Sequence, residues 1–185
     1  MSARETLLAE LREHALVIGE VTLSSGRTAQ YYVDAKRALL RPPAYRAVGE
    51  LIASEAAERG ASAVGGMTMG ADPLACAAIG SQAGDGLLAF FVRKERKEHG
   101  LQRWIEGPEL PAGTRCLVVE DVVTTGGSTV RAIERIKEEG LEVVGVTAVL
   151  DRLARGAEAI EEAAGAPYRP LLTIDDLYPD RPDKT

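Results

Sequence analysis

The sequence predicts an α/β fold, with a mostly parallel central sheet flanked by helices. Three observations lead there. Apolar runs of strand length alternate with stretches of helical period along most of the chain, the pattern of repeated strand–helix–strand units. The later runs, "RCLVVED" and "LEVVGVTAVLD", are apolar without alternation, as strands covered on both faces are. The chain has 185 residues and 45% hydrophobic content, enough for one domain, residues 1–185, with a sizeable core.

Residues 4–16 carry Leu7, Leu8, Leu11 and Ala15 at helical spacing and predict a first helix. "VTLSSGRTAQYYVD" reads as two short strands around a Ser-Ser-Gly-Arg turn. "RPPAYRAVGELIASEAAERG" opens on prolines and closes on Gly60. It sets Tyr45, Val48, Leu51, Ile52 and Ala56 in one stripe, so it is a helix. The short apolar "SAVGGMT" follows. A helix then starts with Asp72 as N-cap and Pro73 in its first turn.

"GLLAFFVRK" is strand-like, whereas "KERKEHGLQRWIEGPELPAGT" has charge, glycine and proline but no period. "RCLVVED" is a strand. Residues 128–139 are a helix with Val130, Ile133 and Ile136 inward and Gly140 as its stop. "LEVVGVTAVLD" is another buried strand, "RGAEAIEEAAG" a helix and "YRPLLTID" a last strand.

Composition narrows the function. The net charge of −6 and pI near 5.1 argue against a general nucleic-acid partner, which needs a basic surface. Cys76 and Cys116 lie in apolar surroundings and read as small core residues, neither a disulfide framework nor a metal site. "MSARETLLAELREHA" is charged and amphipathic, unlike a signal peptide, and no apolar run is long enough to cross a bilayer. A soluble, cytoplasmic protein without a membrane partner is expected.

Ligands of open α/β sheets sit beyond the C-terminal ends of the strands. The informative positions are therefore 68–72, 93 onward, 120–129 and 151–156. The third is "VVEDVVTTGGST", residues 118–129. A strand, a Gly-rich turn and a helix N-terminus gather backbone N–H groups and the positive end of a helix dipole. Thr124, Thr125, Ser128 and Thr129 can add hydroxyl donors, and Gly126 and Gly127 let the backbone approach closely. This reads as a cradle for a phosphate monoester. The lysine and spacing of a Walker loop are absent, as is G-x-G-x-x-G. Glu120 and Asp121 repel phosphate but suit a ribose diol, whose hydroxyls want acceptors. An ordinary capped turn explains the hydroxyls but not the paired acids.

"VVEDVVTTGGST" resembles the ribose-phosphate-binding signature of the type I phosphoribosyltransferases: an apolar strand, two acids, Val122 and Val123, then a small-residue loop. The resemblance implies the type I phosphoribosyltransferase fold and its ligand, phosphoribosyl pyrophosphate. Three further stretches resemble the orotate branch of that family. "FVRKERKEHG" is similar to its mobile catalytic loop at Arg93, Lys94, Lys97, His99 and Gly100. "TLSSGRTAQYYVDAK" resembles its N-terminal hood, with Tyr31 and Tyr32 at the paired aromatics near the base. In "VLDRLARG", Arg152 resembles the arginine that meets the orotate carboxylate. A guanidinium suits that partner, because it pairs a carboxylate in a planar fork.

The resemblance implies transfer of ribose 5-phosphate to orotate, giving orotidine 5′-phosphate and pyrophosphate, in pyrimidine (UMP) biosynthesis. It implies Lys97, His99 and Asp121 as catalytic residues. Phosphoribosyl pyrophosphate would be bound by Arg93, Lys94, Lys97, His99 and residues 120–129, and orotate by Thr124, Arg152, Tyr31 and Tyr32. Mg²⁺ is implied, held mainly by substrate and water and not by direct protein ligands. So is a homodimer whose 93–107 loop reaches the neighbouring active site, with a hood of about residues 1–36 plus the C-terminal segment on a core of about 40–165. Two lysines common in the family are missing, at Ser24 and near Gly70. Two other readings stay open: transfer to a different base, and a regulator of the same fold that senses the sugar phosphate.

Overall fold

In the computed structural model, residues 1–22, 28–96 and 103–184 are described. Helix α1, Ala3–His14, opens with a capping box, in which Ser2 Oγ accepts from Glu5 N–H and the Glu5 carboxylate accepts from Ser2 N–H. Strands β1, Leu16–Thr22, and β2, Thr28–Val33, pair antiparallel as a separate two-stranded sheet. A short helix α2, Lys36–Leu39, and the long α3, Pro42–Glu58, follow. Then come β3, Ala63–Met67; α4, Asp72–Ile79; β4, Leu88–Val92; and β5, Ile105–Glu106. The second half holds β6, Arg115–Val123; α5, Gly127–Glu138; β7, Glu142–Asp151; α6, Gly156–Ala164; β8, Leu172–Thr173; and α7, Ile174–Leu177.

The main sheet has the order β5-β4-β3-β6-β7-β8, parallel except where β5 pairs with β4. Its central strands are mostly apolar because each face meets its own core. Leu117 and Val119 of β6 face a cluster with Leu7, Leu11, Val48, Ile52 and Leu74. Cys116 and Val118 face the other, with Phe90, Ile133, Ile136, Val146 and Ile160. Cys116 is buried and Cys76 partly so, and both are free thiols. None of the helices described is long and apolar enough to cross a membrane.

Two expectations are corrected. Asp72 is not the N-cap of α4: Ala71 is, with no side-chain cap. The turn begins earlier, where Ala71 N–H donates to Met67 O, and the Asp72 carboxylate turns back to accept from Thr68 Oγ1 at 2.6 Å. The last strand shrinks to two residues and a single bridge at Tyr168. Pro170 cannot donate to a ladder. A capping box between Thr173 and Asp176 then starts a helix where strand was expected.

The chain ends fold back on the beginning. Arg4 pairs with Asp176 at 3.0 Å, and Tyr31 Oη donates to Asp183 Oδ2 at 3.0 Å. This ties α1 and the two-stranded sheet to the C-terminal segment.

Candidate active site

Strand β6 runs on through both acids to Val123, so Glu120 and Asp121 leave from regular strand and not from a loop. Neighbouring side chains on a strand diverge, and these two meet different partners. Glu120 is turned to α5, where its Oε2 accepts from Ser128 Oγ at 2.9 Å and Thr129 Oγ1 at 3.1 Å. Asp121 Oδ2 accepts from Lys36 Nζ at 3.1 Å, and its Oδ1 accepts from Val122 N–H.

One oxygen of each acid, Asp121 Oδ1 and Glu120 Oε1, nonetheless faces Gly70. A Cβ built there would lie 2.6 Å from Asp121 Oδ1 and 3.0 Å from Glu120 Oε1. Any side chain at position 70 would enter the space that both acids face. That bare spot is where a pair of hydroxyls can reach two carboxylates at once.

Glu120 and Asp121 are 5% and 9% exposed, unusual burial for adjacent acids. Burial, and then the charge of Asp121, push Glu120 from its ordinary 4.5 up to about 7. The Ser128 and Thr129 hydroxyls pull the other way. Lys36 shows a net rise: burial lowers it, but Asp121 and Asp34 outweigh that.

Beyond the acids the chain turns tightly. Gly126 has φ +78° and is the N-cap of α5, without a side-chain cap. Its built Cβ would sit 2.9 Å from Gly156 O and 3.0 Å from Ile160 Cγ1. A Cβ on Gly156 would likewise meet Gly126 N and Thr124 O, each at 2.9 Å. Two glycines thus let the starts of α5 and α6 press together. The result is a cavity of about 170 Å³ lined by Glu120 and residues 122–129. The first N–H groups of α5 have no intrahelical acceptor, and the dipole adds positive potential. The sequence reading expected Ser128 and Thr129 to give their hydroxyls to phosphate. Here both hydroxyls go to Glu120, so the cradle relies on backbone N–H groups and on the exposed Thr124 and Thr125.

Arg152 follows β7 beside this cavity, its N–H donating to Val123 O at 2.9 Å. Its guanidinium lies 5.2 Å from the centre of the Tyr31 ring. Tyr31 is buried and meets Tyr178 edge-on, with ring centres 5.5 Å apart. Tyr32 is 40% exposed on the opposite face of β2, because consecutive strand residues alternate. Of the two tyrosines, only Tyr31 joins Arg152.

Arg93 and Lys94 lie at the end of β4, around a second cavity of about 360 Å³ shared with Thr68 and Phe91. Arg93 is less available than expected. Its Nη1 pairs with Glu106 at 3.1 Å and its Nε donates to the Glu95 carbonyl at 3.2 Å. Lys97 and His99 lie outside the described residues.

The base of this segment is fixed to α5 by Trp104. Arg135 and Arg96 lie 4.2 and 5.0 Å from its ring centre. The indole N–H donates to Glu138 Oε2 and the backbone N–H to Glu139 Oε1, both at 2.7 Å. Arg135 also donates to the Arg93 carbonyl at 2.6 Å. From the sequence, neither Trp104 nor Lys36 is singled out, and Gly156 enters only as the end of the 151–156 stretch. Only the aromatic inside a charged segment offered a signal.

The chain is similar to known proteins over most of its length. A phosphoribosyl transferase domain model matches residues 35–164. The orotate phosphoribosyltransferase of Corynebacterium glutamicum is 49% identical over 177 residues, covering 96% of this chain and 95% of its own. The orotate phosphoribosyltransferase of Mycobacterium tuberculosis in complex with Fe(III) dicitrate matches with a TM-score of 0.86 at 47% identity, over 95% of this chain and 99% of that one. Its complex with 5-phospho-alpha-D-ribosyl 1-diphosphate matches with a TM-score of 0.81 at 43% identity, over 95% and 98%.

Proposed function

The chain belongs to the phosphoribosyl transferase family, and on that premise we infer that it transfers ribose 5-phosphate from phosphoribosyl pyrophosphate to orotate. The products are orotidine 5′-phosphate and pyrophosphate. The observation that carries the acceptor is Arg152, placed between the cradle and Tyr31. A guanidinium beside an aromatic face suits a planar, anionic base. The same side chain has no evident task in sensing a sugar phosphate alone.

Each part of the donor then has its group. Backbone N–H groups at the start of α5 take the 5′-phosphate. Glu120 and Asp121 accept from the ribose hydroxyls across Gly70. Positive charge develops at the anomeric carbon as pyrophosphate leaves, and the two buried acids stabilise it. Lys94, Lys97 and His99 take up the charge on the departing pyrophosphate, with Lys97 the principal catalytic group. Arg152 orients the nucleophilic base. Water must be kept away, since it attacks the same carbon.

Mg²⁺ belongs to the proposal. Among the described residues, no group of three His, Cys, Asp or Glu side chains could hold a metal. Glu120 and Asp121 nonetheless offer hard oxygens, which fit an ion carried mainly by substrate and water. Bound there, Mg²⁺ would offset charge on the pyrophosphate. We also propose a cytoplasmic homodimer, with the 93–107 segment serving the neighbouring site. Its support is the resemblance of that segment to the family's loop.

The test is pyrophosphate release in the presence of Mg²⁺. Release is expected only when donor and orotate are both present. Arg152→Ala is expected to lower kcat/KM for orotate about a hundredfold, the worth of a charged pair near 3 kcal/mol. Absence of orotate-dependent release by the wild-type chain would overturn the reading.

A further inference from the structure

The proposed donor brings a phosphate and a pyrophosphate to a site whose groups around Gly70 are acidic. Glu120 and Asp121 face it, and Asp72 is the one charged residue in the stretch from Gly65 to Asp72. Arg93, beside it, is paired with Glu106. Lys94 shares a cavity with Thr68, and a second cation on the Gly70 side of the turn would balance the acids there.

Lys36 is placed to supply it. Its Nζ lies 3.1 Å from Asp121 Oδ2, while the other oxygen of that carboxylate faces Gly70 at 2.6 Å from a built Cβ. The ammonium is therefore one carboxylate's width from the bare backbone of that turn. It is held from a second side by Asp34 Oδ1 at 3.5 Å. Asp34 is itself anchored by its N–H to Ala15 O. The Lys36 side chain is 46% exposed, so its tip can move without leaving a core.

Resting on the donor reading above, we propose that Lys36 is a pyrophosphate-binding residue. In the free protein it neutralises Asp121. When the ribose hydroxyls engage Asp121, the ammonium turns to a pyrophosphate oxygen. It thereby replaces the charge that a lysine near Gly70 would give. A lysine suits this exchange better than an arginine, because its point charge on a flexible stem is not tied to one planar geometry. The gain is a charge-assisted hydrogen bond to a more highly charged acceptor.

The test compares three ligands by titration calorimetry: phosphoribosyl pyrophosphate, inorganic pyrophosphate and orotidine 5′-phosphate. Lys36→Met and Lys36→Gln both remove the charge, so a folding defect peculiar to one is not read as lost binding. Each is expected to weaken donor and pyrophosphate about 10- to 100-fold and to leave orotidine 5′-phosphate within about threefold. Lys36→Arg is expected to recover part of the loss. Undiminished pyrophosphate affinity, or equal loss for all three ligands, would refute the role and leave Lys36 as a partner of Asp121 alone. A wild-type chain that binds neither phosphoribosyl pyrophosphate nor orotidine 5′-phosphate would instead refute the donor reading itself.

Discussion

The cradle at residues 120–129 and the base of the 93–107 segment are both held by side chains on α5, but in opposite ways. The cradle closes on itself: Glu120 takes hydroxyls from residues eight and nine positions later. The segment base closes on distant chain. Trp104 is held by Glu138, 34 positions on, and the Arg93 carbonyl by Arg135, 42 positions on. One helix thus borders the proposed phosphate cradle at its N-terminus and carries an anchor at its C-terminal end. Local closure suits a rigid site for the part of the proposed donor that does not change. Remote closure fixes the described base of the other segment, where Arg93 and Trp104 meet α5.

The sharpest way to break the cradle is Gly126→Ala. A Cβ at φ +78°, 2.9 Å from Gly156 O, is expected to cost about 2–4 kcal/mol and to lower Tm by roughly 5–12 °C. Affinity for ribose 5-phosphate should fall with it, as read by calorimetry at a temperature where the variant is folded. An unchanged Tm would show that α5 and α6 are not locked together there.

Trp104→Ala strikes the other region. Two cation–π contacts and one hydrogen bond to a carboxylate are lost, about 1–2 kcal/mol confined to the segment base. Turnover is expected to fall about tenfold while ribose 5-phosphate affinity stays within about twofold. Equal loss of both would merge the two regions into one.

The smallest effect concerns protonation. Glu120 binds its proton more tightly folded than unfolded, so between pH 4.5 and about 7 the folded state holds the extra proton. Its contribution to stability is present below that window and is lost as pH rises through about 7. Glu120→Gln removes this term. Its Tm should decline less than that of the wild type between pH 5 and about 8, in melts followed by circular dichroism. Parallel Tm profiles for the two proteins would place the ordinary value on Glu120.

Much of this was legible in residue order, and the reason is local. Buried parallel strands need continuous apolar runs, so "RCLVVED" and "LEVVGVTAVLD" declared themselves. The cradle was legible because its glycines, acids and hydroxyls all lie within ten residues. The last strand was over-read, since "YRPLLTID" has strand composition, but Pro170 and the Thr173–Asp176 box cut it short. Lys36 could not be found by pattern, being 85 positions from Asp121.

By itself the sequence determined the fold class, most of its elements and a glycine turn with acids and hydroxyls after the strand that became β6, because propensity, period and turn chemistry act over a few residues. Only the tertiary structure decided how the acids divide their work. It sent Glu120 to the α5 hydroxyls and Asp121 to Lys36, then turned one oxygen of each onto Gly70. It also kept Tyr31 beside Arg152 and sent Tyr32 outward. Those outcomes depend on which elements pack against a strand's two faces, and no stretch of neighbouring residues records that.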